Sequence, residues 1–160
     1  MREIRKKWDK YTEGWFGIVI YLFLGFVIAY GVNFALGFIL STDTPVVAVF
    51  SGSMEKTFFK GDMMIVYGDK NIKVGDVIVF DSPEKKYYPI IHRVIAIKDN
   101  GVVTKGDHND ASDEGRWGAI PFESIHGKAF FKIPILGWVK IIFEENIIPA
   151  LMWIRTQAVG

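Results

Sequence analysis

Residues 89–105 read PIIHRVIAIKDNGVVTK, two aliphatic and β-branched runs separated by Asp99-Asn100-Gly101, whose Asn-Gly pair suits a tight hairpin. Working outward, the same character returns in VVAVF (46–50), MMIVY (63–67), DVIVF (76–80) and HGKAFFKI (126–133). Turn signals fall between these runs at Gly68-Asp69-Lys70-Asn71, Lys73-Val74-Gly75-Asp76 and Asp81-Ser82-Pro83. Helical periodicity is hard to find here, and the pattern predicts a mainly β chain with a small antiparallel β domain over residues 41–132. A Gly-rich phosphate loop, a GxSxG elbow and internal repeats are all missing, which disfavours nucleotide enzymes and α/β-hydrolases. The polar exception is 106–118, GDHNDASDEGRWG, and a long polar loop inside a compact domain is often functional.

Upstream of the β region, Trp15 to Leu40 runs WFGIVIYLFLGFVIAYGVNFALGFIL, 26 residues without a charged side chain. As a helix it would extend roughly 39 Å against about 30 Å of hydrocarbon, enough to span a bilayer with some tilt. A cleavable signal is excluded by length, since such apolar cores run about 7–15 residues. The flank 1–14 carries Arg2, Arg5, Lys6, Lys7 and Lys10, whereas Ser41, Thr42, Asp43 and Thr44 follow the span. That bias predicts a single-pass anchor in the cell membrane, with a cytoplasmic N-terminus and everything after Leu40 extracytoplasmic. Residues 133–160 are apolar again but interrupted by Lys140, Glu144, Glu145 and Asn146. Ile147 to Ile154 is too short to cross, leaving an interfacial helix, docking onto the anchor or a partial second span.

Lys plus Arg total 19 against 18 for Asp plus Glu, so the net charge of +1 offers no field for holding nucleic acid. With no cysteine, disulfides, thiol nucleophiles and Cys-ligated zinc are all excluded.

A serine needs a neighbouring base before it can attack an amide. Ser53 lies in Val49-Phe50-Ser51-Gly52-Ser53-Met54-Glu55, between an apolar strand and a turn where Gly52 favours exposure of its neighbour. Downstream, His92 sits in the run 90–97, and the polar loop supplies Asp107, Asp110 and Asp113. Histidine titrates near working pH and an aspartate can fix its tautomer, so these are the residue types of a serine triad. A Ser-Gly-Ser turn without chemistry is common, and a lone strand histidine is more often structural.

The ordered segments Ser51-Gly52-Ser53-Met54-Glu55 through Gly61-Asp62, His92-Arg93, Thr104-Lys105-Gly106-Asp107-His108-Asn109 and Asp113 resemble the box pattern of type I signal peptidases. The His-Arg box is similar to the archaeal and endoplasmic-reticulum branch, where bacterial relatives use a lysine. The resemblance runs from the anchor to about Lys132. It implies a membrane-bound serine endopeptidase acting on signal peptides, with Ser53 as nucleophile, His92 as general base and Asp113 as the acidic partner. Asp107 becomes a second acidic site residue and Asp110 a less favoured rival. An oxyanion hole is implied from the Ser53 N–H, with the Ser51 hydroxyl as a second donor; Ser51 could equally cap a turn. No metal or cofactor is implied. The implied partners are signal peptides of secreted preproteins, the lipid bilayer and the export translocon. Two positions depart from the family: Lys56 stands where proline is usual, loosening the turn, and His108 replaces an asparagine, adding a second candidate base.

Other readings use the same residues. Lys105 or Lys98 could replace His92 as base, or the domain could be a silent β-module that binds exported chains. A calcium loop fails, because an EF-hand would want a ligand at Ala111, glycine at Ser112 and glutamate at Gly118. A metal site from His92, His108 and an aspartate stays open. His126 reads as structural, and Phe58 and Phe59 as either core residues or residues at the membrane interface.

Overall fold

The computed structural model describes residues 14–84, 88–147 and 149. The basic flank before Gly14 and the apolar tail after Ile147, Pro149 apart, lie outside them.

The chain divides into two units, residues 1–39 and 40–160. The first contains α1, Gly14–Leu40, the one helix among the described residues long and apolar enough to cross a membrane. Its side chains are apolar all round and mostly exposed, as expected of a helix solvated by lipid.

The second unit is built on β1 (Val46–Ala48), β2 (Met63–Tyr67), β3 (Val77–Phe80), β4 (Ile90–Lys98), β5 (Gly101–Lys105) and β6 (Ile125–Ile133). A one-turn helix, α2 (Glu114–Trp117), precedes β6, and α3 (Gly137–Ile142) follows it, continuing as a wider π turn over Phe143–Ile147. The strands form one six-stranded sheet in the order β1-β2-β6-β3-β4-β5, every neighbouring pair antiparallel.

β3 is an unbroken apolar run because both its faces are covered. Val79 joins Val47, Val49, Met64, Val66 and Ile91 on one face, while Ile78 and Phe80 join Val94, Val102 and Ile120 on the other. The register Ile78↔His92 and Val79↔Ile91 carries this alternation into β4. His92 therefore shares a face with Ile78 and Phe80, and Arg93 faces the opposite way.

Two local details differ from the sequence reading, and a third lies beyond it. The VVAVF run leaves the ladder after Ala48, because the backbone of Val49 bonds instead to Asp62 and Gly61. The β4–β5 hairpin turns on Asp99-Asn100, with Gly101 already in the strand at φ 152°. Glycine is required there because a Cβ would lie 2.1 Å from the carbonyl oxygen of Ile120, whose backbone bridges to Val102. Finally, α3 packs against the sheet unit through fully buried Ile141, and Gly137 lies against the Asp62 carbonyl.

Candidate active site

Ser53 lies in a series of turns from Ser51 to Thr57 that connects β1 toward β2. Met54, 1% exposed, is its apolar anchor, and backbone bonds from Thr57 and Phe58 to the Met54 carbonyl close the turn. Lys56 sits at φ 85°, which proline cannot adopt. The turn around it is closed by the two backbone bonds to Met54. The polar loop docks on the same segment: the His108 N–H donates to the Ser53 carbonyl at 2.9 Å.

β4 carries His92 to this loop. Its Nε2 lies 3.1 Å from Ser53 Oγ, and its Nδ1 lies 2.6 Å from Asp113 Oδ2. His92 and Asp113 are 5% and 7% exposed, so their contact is shielded from water, while Ser53 is half-buried at the surface. Thr104, fully buried on β5, donates its hydroxyl to the same Asp113 oxygen at 2.6 Å, and its carbonyl accepts the Asp113 N–H. The register explains the contact: Thr104 pairs with Val94, two residues beyond His92 and on the same face. The Phe80 ring packs edge-on against the imidazole at 6.3 Å.

Strand parity separates the two acidic residues singled out by the sequence. Arg93, on the other face of β4, makes a two-pronged contact with Asp107, Nε to Oδ1 at 2.8 Å and a terminal nitrogen to Oδ2 at 2.7 Å. Asp107 also accepts the Thr57 hydroxyl at 2.5 Å. These hydrogen bonds tie the polar loop to the end of the serine loop, and those of His92 go to Ser53 and Asp113. The Arg93 hydrogen bonds hold the Asp107 carboxyl below the usual carboxylate range against the opposing effect of burial. Asp110 is exposed.

Among the described residues no other candidate base has its side chain hydrogen-bonded to Ser53. Lys98 pairs with Glu114 at the surface, and Lys105 is opposite Arg93, on the face turned away from His92. His108 is exposed and stands 3.9 Å from Glu55. Among the described residues no three His, Asp or Glu side chains gather as metal ligands. His126 is bracketed by Asp43 at 2.8 Å and Asp81 at 2.9 Å, one on each ring nitrogen, and joins the segment after α1 to the ends of β3 and β6. Phe58 packs against the core and Phe59 is exposed.

Ser53 and His92 open onto a cleft of about 290 Å³, with Ala48, Val49, Phe50 and Ser51 on one side and Tyr88, Pro89, Ile90 and Ile91 on another. Phe50 and Tyr88 stack at 4.8 Å. Ser51 Oγ lies 3.1 Å from Ser53 Oγ. Thr104 and Arg93 entered the sequence reading only as members of their boxes and Thr57 not at all; the β4–β5 register gives the first two their partners, and the turn ending at Thr57 brings its hydroxyl to Asp107.

A hydroxyl, an imidazole and a carboxylate in hydrogen-bonded series at the mouth of a cleft make up the arrangement on which serine hydrolases work. The family model for signal peptidases, peptidase S26, matches residues 19–105. Signal peptidase complex catalytic subunit SEC11 of Scheffersomyces stipitis is 33% identical over 123 residues, covering 71% of this chain and 74% of the relative. SEC11C of Homo sapiens is 35% identical over 117 residues, covering 65% of this chain and 59% of the relative. SEC11 of Debaryomyces hansenii is 33% identical over 123 residues, with 70% and 73% covered. The chain thus spans about three quarters of the yeast relatives and three fifths of the human one, and it belongs to the signal peptidase family, on the SEC11-like, endoplasmic-reticulum side.

Proposed function

We propose that this protein is a membrane-anchored serine endopeptidase that removes signal peptides from exported preproteins. The observation that carries the reading is the continuous series Ser53 Oγ, His92 Nε2, His92 Nδ1 and Asp113 Oδ2. Family membership supplies the substrate class.

In this mechanism His92 Nε2 accepts the Ser53 proton as Oγ attacks the scissile carbonyl, and Asp113 stabilises the imidazolium through Nδ1–H. The oxyanion is met by the Ser53 N–H and the Ser51 hydroxyl. The Ser51 oxygen already lies 3.1 Å from the nucleophile, and one such donor is worth about 2.7–4 kcal/mol in comparable sites. Collapse of the tetrahedral species transfers the His92 proton to the leaving amine, freeing the mature chain. Water, deprotonated by His92, then attacks the Ser53 ester and releases the leader as a carboxylate. Asp107 acts through structure, holding the polar loop and the serine loop together with Arg93 and Thr57.

The leader lies extended between the Ala48–Ser51 and Tyr88–Ile91 walls, with small residues at the first and third positions before the cut. α1 holds the enzyme in the bilayer that carries the leader, which raises their effective concentration. The Lys/Arg bias of residues 2–10 supports a cytoplasmic N-terminus and an extracytoplasmic sheet unit in the cell membrane, beside the export translocon.

The test is incubation of the detergent-solubilised chain with a leader-bearing preprotein, followed by size on a gel. Cleavage by wild type that is lost in both Ser53→Ala and His92→Ala supports the reading. Cleavage that survives Ser53→Ala contradicts it.

A further inference from the structure

α2 is a single turn, too short to hold its own shape. Asp113 occupies its N-cap position, yet the side chain makes no capping hydrogen bond, and its Oδ2 meets His92 and Thr104 instead. The Asp113 N–H bonded to the Thr104 carbonyl at 2.9 Å fixes the start of α2 on β5, and the far end of the turn is held separately.

Two contacts at its far end do this. The Trp117 ring lies edge-on against Phe80 at 6.3 Å, and Phe80, 0% exposed, lies edge-on against His92, also at 6.3 Å. Oε1 of Glu84, on the loop after β3, accepts the Trp117 Nε1–H at 3.0 Å and the Arg116 Nε–H at 2.6 Å. The Arg116 guanidinium covers the Trp117 ring at 5.1 Å. Glu84 is itself held by its N–H to the hydroxyl of buried Ser82 at 3.3 Å. One carboxylate oxygen therefore bonds both the Trp117 indole, whose ring meets Phe80, and the Arg116 side chain in the last turn of α2.

We propose that Glu84 is a positioning residue for the Asp113–His92 pair, holding α2 and Trp117 in the arrangement that keeps the imidazole aligned with Ser53. The inference rests on the reading of Asp113 as the orienting carboxylate. Glu84 and Arg116 are both exposed, so their ion pair adds little to global stability. What it supplies is geometry, and a small misplacement of reacting groups costs roughly tenfold to a hundredfold in rate.

The experiment compares wild type, Glu84→Ala, Glu84→Gln, Trp117→Phe and Asp113→Ala as full chains in detergent. Readouts are kcat and KM on a leader-bearing preprotein, the thermal midpoint, and the downfield proton signal of the His92–Asp113 hydrogen bond. Glu84→Ala is expected to lower kcat about tenfold or more with little change in KM or midpoint, and to broaden the downfield signal. Glu84→Gln keeps the acceptor oxygen and retains most activity, while Trp117→Phe, lacking the N–H, falls in the same direction as alanine. A Glu84→Ala enzyme with wild-type kcat and signal overturns the proposal, as does a Gln variant impaired as deeply as Ala. If Asp113→Ala is fully active, the reading of the site falls and this inference with it. If Asp113→Ala is inactive while Glu84→Ala is unaffected, only the role of Glu84 falls.

Discussion

Replacing Thr104 by valine removes one hydrogen bond and almost no volume. Thr104 is 0% exposed and gives its hydroxyl proton to Asp113 Oδ2 at 2.6 Å, the same oxygen that meets His92 Nδ1. Asp113 is 7% exposed, so water does not readily replace the lost donor. A hydrogen bond to a charged group contributes about 1.5–3 kcal/mol, and leaving a buried acceptor short of a partner costs a similar amount. Thr104→Val is therefore expected to lower unfolding free energy by about 2 kcal/mol. It should also lower kcat about tenfold by freeing Asp113 to swing. Thr104→Ser keeps the donor and loses one methyl, about 0.8 kcal/mol of burial, with turnover largely retained. The assay is urea unfolding followed by tryptophan fluorescence, with initial cleavage rates measured in the same detergent. A valine variant as stable and as active as wild type would refute the claim that Thr104 holds the carboxylate.

Two further predictions concern pH. Asp107 is held below the ordinary carboxyl value of 3.8 chiefly by Arg93, so its stabilisation is present above about that pH and lost as pH falls toward the depressed folded value. Asp107→Asn should thus be less stable than wild type at neutral pH, and the gap should narrow in unfolding measurements near pH 3. For His126, burial disfavours the charged ring, but the hydrogen bonds it donates to Asp81 and Asp43 outweigh it and raise the group above 6.5. Its contribution is full below about pH 6.5 and fades as pH rises through the raised folded value. The stability difference between wild type and His126→Ala should therefore shrink on going from pH 6 to pH 9, and a constant difference would contradict the bracket.

Much of the architecture was legible because local pattern and tertiary environment agree. MMIVY and GVVTK match β2 and β5 to the residue, and the uncharged run 15–40 lies within α1. VVAVF was read too long, since nothing local announces that Val49 will bond to Asp62 rather than continue the ladder. At the site, residue type and order offered Ser53, His92 and three aspartates, 107, 110 and 113, the family resemblance favoured Asp113, and the fold brings Ser53, His92 and Asp113 into contact. Residue pattern without the resemblance did not divide Asp113 from Asp107, because that depends on which face of β4 each acid meets. Thr104 was invisible as a partner for the same reason: its role comes from the β4–β5 register, and threonine is an ordinary strand residue. Lys56, read as loosening its turn, instead takes a left-handed conformation within a hydrogen-bonded one.

The most direct test is to trap the acyl-enzyme with an activated ester of a leader peptide and locate the adduct by mass spectrometry. The account predicts an ester on Ser53, formed by wild type and suppressed in His92→Ala. An adduct on Lys98 or Lys105, or one on Ser53 that forms equally fast without His92, would contradict it.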